Sequence, residues 1–152
     1  MGTVLAFDFG EKRTGVAVGE TVLRQAHPLT VLKMNDNAAL LKAISRLIVE
    51  WQPERLVVGL PTHTDGTEHD MTLKVRAFAG SLRERFALPV IEADEVLTSL
   101  DAISRLRETK RSVKRMKTVV DAVAAQLILQ TWFDFPHDFN SAHDQSPSLS
   151  PA

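Results

Sequence analysis

The chain has 152 residues, of which 44% are hydrophobic, the size and apolar content of one ordinary domain able to bury a core. It has no cysteine, which excludes a disulfide scaffold, a thiol nucleophile and a cysteine zinc site and suits a reducing compartment. A formal net charge of -1 argues against a simple polyanion binder; with no signal-peptide pattern after Met1 and no apolar run near the roughly 20 residues of a membrane helix, a soluble, cytoplasmic protein without membrane contact is expected.

Thr3 to Phe9 reads as a strand, Gly10 to Arg13 as a turn, and Thr14 to Gly19 as a second strand with a small, β-branched centre, so the chain opens with a hairpin. A third strand is expected within Val22 to Leu32, where Pro28 makes it an edge strand or breaks it. Asn35 or Asp36 can cap a helix in which Leu40, Leu41, Ile44, Leu47, Ile48 and Trp51 recur at helical spacing before Pro53. Arg55 to Leu60 is an apolar run of the kind buried on both faces of a sheet, and Gly59-Leu60-Pro61 stops it. After a polar loop, Asp70 can cap a helix with a stripe of Met71, Val75, Phe78, Leu82 and Phe86, and Pro89 precedes a short strand, Val90 to Ala93. Thr98 and Asp101 resemble a capping box opening a helix to about Arg107.

Thr109 to Lys117 then carries Lys110, Arg111, Lys114, Arg115 and Lys117, five bases in nine residues without an acid, a positive patch on a near-neutral body. A final helix is expected from about Met116 to Phe133. Residues 136–152 have too little apolar surface to repay ordering and read as a disordered tail after a single domain over residues 1–135. Three antiparallel strands followed by two further strands joined by a helix make a mixed five-stranded α/β sheet with helices on both faces.

Three acids stand out. Asp8 shares one strand face with Val4 and Ala6, where a carboxylate is compensated by a metal, a salt bridge or exposure near Gly10. Asp94-Glu95 follows the apolar strand, at the carboxyl end where open α/β sheets gather their sites; the alternative is a solvated loop. Asp121 precedes Ala124, Ala125, Ile128 and Trp132 at helical spacing, so it lies on an apolar face. It either pairs with one of the preceding bases or points into a site at the sheet edge. Together, carboxylate ligands suit Mg²⁺ or Mn²⁺, and two such ions can support phosphodiester hydrolysis. His27, His63, His69, His137 and His143 show no metal-ligand spacing and read as surface or loop residues.

The segments Asp8-Phe9-Gly10-Glu11-Lys12-Arg13-Thr14-Gly15-Val16-Ala17-Val18-Gly19, Val58-Gly59-Leu60-Pro61 with Asp65-Gly66-Thr67-Glu68, Asp94-Glu95 with Leu97-Thr98-Ser99, and Asp121-Ala122-Val123-Ala124-Ala125 occur in that order. They resemble the YqgF family, described as pre-16S ribosomal RNA nucleases or Holliday junction resolvases. The resemblance spans residues 1 to about 135. It implies a ribonuclease-H-like fold, Asp8, Glu95 and Asp121 as catalytic and metal-binding carboxylates, and a two-metal Mg²⁺ or Mn²⁺ nuclease. By the same resemblance, Lys12, Arg13 and the basic segment would sit near nucleic-acid phosphates; otherwise they are a solvated turn and a solvated charge run.

The chain departs from the family at Val96, where Arg is common; valine can neither hold a phosphate nor orient a carboxylate. Asp94 is a further candidate to share the metal, while Asp65 and Glu68 have no assigned role. The expected activity is hydrolysis of RNA phosphodiesters in pre-16S maturation, by a monomer or weak homodimer. The alternatives are a resolvase of four-way DNA junctions and a non-catalytic RNA or transcription-complex binding module. The likeness of the first hairpin to the phosphate loop of actin-like ATPases fails on size, because those enzymes enclose a nucleotide between two such domains.

Overall fold

A computed structural model describes residues 2–10, 12–34, 36–60, 69–94 and 113–136, with the backbone alone at 69–71, 94 and 113–120. The elements are β1 (Thr3–Asp8), β2 (Arg13–Glu20), β3 (Gln25–Lys33), α1 (Asn37–Trp51), β4 (Arg55–Leu60), α2 (His69–Phe86), β5 (Val90–Asp94) and α3 (Val113–Asp134). The sheet runs β3-β2-β1-β4-β5. Its first three strands are antiparallel, and β4 and β5 lie parallel to β1. This is the ribonuclease-H-like α/β sheet that the motifs implied.

Alternation along the strands sorts the core into two layers. Leu5 and Phe7 of β1, Val16 of β2 and Leu56, Val58 and Leu60 of β4 pack under Leu40 and Ile44 of α1 and Val75, Phe78 and Leu82 of α2. On the opposite face, Val4, Ala6, Ala17, Val57, Ile91 and Ala93 meet Ala125, Ile128, Leu129, Trp132 and Phe133 of α3. Strand β4 thus buries both faces, which is why its sequence is an unbroken apolar run. Each large core side chain contributes about 1.5–3 kcal/mol when fully buried.

Several boundaries differ from those read in the sequence. Strand β3 starts at Gln25, because residues 21–24 turn, and it runs through Pro28 to Lys33. It survives the proline because it is an edge strand and a register shift falls opposite Val16 and Ala17. Asp36 is the cap of α1, its side chain accepting the Ala38 N–H at 3.1 Å. Helix α3 begins three residues before Met116, so Lys114, Arg115 and Lys117 belong to its first turns. The helix expected from Thr98 to Arg107 lies outside the described residues, as does the tail from residue 137.

One acid unnoticed in the sequence is structural. Glu92 is 2% exposed on the α2 side of β5, with Arg83 Nη2 3.0 Å from its Oε2 and Arg76 Nη1 3.4 Å from its Oε1. The arginines keep about a third of their side chains in solvent, so they can turn outward if Glu92 is lost, whereas the carboxylate cannot escape. The double substitution Arg76→Ala and Arg83→Ala should therefore destabilise the fold by about 3 kcal/mol, more than Glu92→Leu does. Urea midpoints of the two variants check the order; equal or reversed costs would deny Glu92 this dependence.

Candidate active site

Asp8 ends β1 in the row where it pairs with Gly15 of β2. Because cross-strand partners share a face and Val4 and Ala6 lie in the layer under α3, Asp8 is on the α3 side. Helix α3 crosses the sheet at the same row: a Cβ on Gly15 would overlap the carbonyl of Asp121. Glycine is thus needed at position 15 for the helix backbone to reach the sheet, and that contact draws Asp121 toward Asp8. Both residues are half-buried at the end of the sheet.

Among the described residues, the partner of Asp121 is Arg13, at the start of β2, whose Nε donates to Oδ2 at 2.6 Å. Arg13 lies two residues before Gly15, on the same face, so its guanidinium reaches the helix. Side-chain exposures of 35% for Arg13 and 17% for Asp121 make this a part-buried pair that fixes the carboxylate's orientation. The residues lie 108 positions apart, and no sequence pattern connects them.

Of the other expected site residues, Lys12 is exposed beside Arg13. Glu95, Val96, Lys110 and Arg111 lie outside the described residues, as do Asp65 and Glu68; Asp94 closes β5 opposite Leu60. Lys33 was missed: it is the register partner of Arg13 and is exposed. The pairing of β2 with β3 carries that information, and the single strand does not. His27 is exposed on β3, as a surface histidine should be.

Asp8 and Asp121 place carboxylates, the ligand type that suits a hard divalent cation, on one sheet face, and Arg13 donates to Oδ2 of Asp121. Among the described residues, no three acids or histidines gather closely enough to hold a metal by themselves. No described helix is long and apolar enough to cross a membrane.

Comparison with known proteins agrees with this architecture. A relative from Dechloromonas aromatica (strain RCB), named "Putative pre-16S rRNA nuclease", is 64% identical over 137 residues, covering 90% of this chain and 94% of its own. One of the same name from Nitrosospira multiformis is 52% identical over 133 residues, 88% of each chain. Among solved structures, the Thermus thermophilus RuvC–Holliday junction complex superposes with a TM-score of 0.59 at 14% identity, over 91% of this chain and 98% of that one. The fowlpox virus resolvase with its junction DNA gives 0.51 at 11% identity, over 87% and 97%. These two likenesses bear on the fold alone. The model of the family described as "RuvX: Holliday junction resolvase" matches residues 2–135, and the chain belongs to that family, the one its motifs resemble under the name YqgF.

Proposed function

We propose that this protein is a metal-dependent nuclease that processes the 5′ end of pre-16S ribosomal RNA, with Asp8, Glu95 and Asp121 as its metal-binding carboxylates. Family membership supports a hydrolase of phosphodiester bonds, and the name carried by these two relatives favours the ribosomal substrate. The observation that carries the reading is the convergence of Asp8 and Asp121 on one sheet face through the bare backbone of Gly15. Glu95 supplies the third carboxylate in this proposal: it follows Asp94, the last residue of β5, whose Ile91 and Ala93 belong to the layer under α3.

When bound, one or two Mg²⁺ or Mn²⁺ ions supply the positive charge that makes water a nucleophile near neutral pH and offsets charge on the leaving oxygen. The protein's own groups orient the reaction. Arg13 holds Asp121 in place through Oδ2, and the sheet holds Asp8. Lys12 and the basic segment, Lys110, Arg111, Lys114, Arg115 and Lys117, bind backbone phosphates in this reading. The first turn of α3 contains no acid, so its bases oppose the helix dipole, a cost that phosphate neutralisation offsets.

The test is cleavage of a labelled pre-16S 5′ leader RNA and of a DNA four-way junction with Mn²⁺, Mg²⁺ or EDTA. Cutting of the leader that stops in EDTA is the expected result. Cutting of the junction alone would transfer the activity to DNA. Binding of RNA without any cleavage in any metal would leave a binding module in place of an enzyme.

A further inference from the structure

Helix α3 covers the outer edge of β3 near its start. The Ala26 N–H donates to Gln130 Oε1 at 3.1 Å and Gln126 Nε2 donates to the Ala26 carbonyl at 3.0 Å, so both outward backbone groups of Ala26 are satisfied. By alternation the next outward position is Pro28, which has no N–H to offer. Both devices blunt an edge that would otherwise invite another strand.

Further along, the helix presents Ala122 and Val123 in place of the glutamines. A cavity of about 440 Å³ opens there between helix and strand, lined by Pro28, Leu29, Val31, Lys33, Ala122 and Val123 among others. Val31, Gly15 and Asp8 form one row across β3, β2 and β1, so roughly 10 Å, two strand spacings, separates the cavity from Asp8. Lys33 lies two residues beyond Val31 on the same face, opposite Arg13. The cavity is therefore apolar along its walls and cationic toward the carboxylates. A nucleotide has the matching polarity, with an apolar base face and an anionic phosphate.

We propose that this groove is a subsite for one nucleotide of the substrate strand beside the scissile phosphate. Lys33 pairs with that nucleotide's phosphate, and Val31 and Val123 pack on its base or sugar. The inference rests on the nuclease reading and extends it to a surface outside the carboxylate set.

The experiment uses the full chain, a fluorescein-labelled single-stranded RNA oligonucleotide from the pre-16S leader, and the variants Lys33→Ala and Val123→Glu. Lys33 is exposed, so its truncation leaves the fold intact. Lys33→Ala should raise KM about tenfold with kcat nearly unchanged. In EDTA, where nothing is cut, it should flatten the slope of log binding constant against log salt by about 0.7, the loss of one phosphate contact on a single strand. Val123→Glu should also raise KM for the leader, because it places a carboxylate where the base or sugar packs. If the wild type cuts the leader while Lys33→Ala keeps both KM and salt slope, the subsite is overturned and the nuclease reading stands. If the wild type neither binds nor cuts, both fall. If Val123→Glu alters the sedimentation coefficient and not RNA affinity, the groove receives a second copy of the chain and the subsite is overturned.

Discussion

Replacement of Asp8 by Asn should lower cleavage by about three orders of magnitude, equivalent to about 4 kcal/mol of transition-state stabilisation, while the protein stays folded. The amide matches the carboxylate in size, and the side chain is half-buried at the end of β1, so neither the pairing with Gly15 nor the layer of Val4 and Ala6 need change. What is lost is the negative charge that a divalent cation requires. Single-turnover cleavage in Mn²⁺, measured beside the urea midpoint, separates the two effects. Turnover within tenfold of the wild type would remove Asp8 from the proposed site, and a loss of activity matched by unfolding would make its role structural.

The second large effect is expected at Gly15. Substitution by Ala adds one carbon, which would overlap the backbone carbonyl of Asp121, a group that cannot swing aside as a flexible side chain could. Helix α3 must then lift from the sheet. Overpacking of this kind costs about 2 kcal/mol, which for a chain of this size lowers Tm by roughly 6 °C. Lifting α3 also moves Asp121 away from Asp8, and a displacement near 1 Å is enough to reduce turnover about 100-fold. The diagnostic result is an activity loss that persists well below the variant's Tm, where the protein is fully folded. A Gly15→Ala variant with wild-type turnover and Tm would show that the close approach of helix and strand is not needed.

These two expectations share one cause. Ala6, Ala17, Ala93 and Ala125 are all small and lie between the sheet and α3, so the helix rides low over β1 and β2. The other face carries Leu5, Phe7, Val58, Phe78 and Leu82 and fills its space with large side chains. The division of labour between the faces follows from side-chain size: bulky residues set the packing distance of α1 and α2, while alanines and Gly15 let an acid on a helix backbone reach the end of a strand. Arg13 completes the arrangement by bridging from β2 to Asp121.

Much of this protein was legible in its sequence. Period-two alternation marked the faces of β1 and β2, the 3.6-residue stripes marked α1 and α3, and the unbroken run at Arg55–Leu60 marked a strand buried on both sides. These are local signals, since each arises from a backbone period meeting a single apolar layer. Asp8 and Asp121 were likewise visible as acids that share a face with apolar residues of their own strand or helix. What the tertiary structure alone decided was distance. Strand order brings β1 between β2 and β4, the register of β2 puts Gly15 beside Asp8, and only the docking of α3 shows why position 15 is bare. The pairing of Arg13 with Asp121, the seating of Glu92 between Arg76 and Arg83, and the alignment of Lys33 with Arg13 all depend on which elements become neighbours. Sequence periodicity specifies the face a side chain takes, but not which other element comes to lie against it, because that choice is made by the summed packing of the whole sheet.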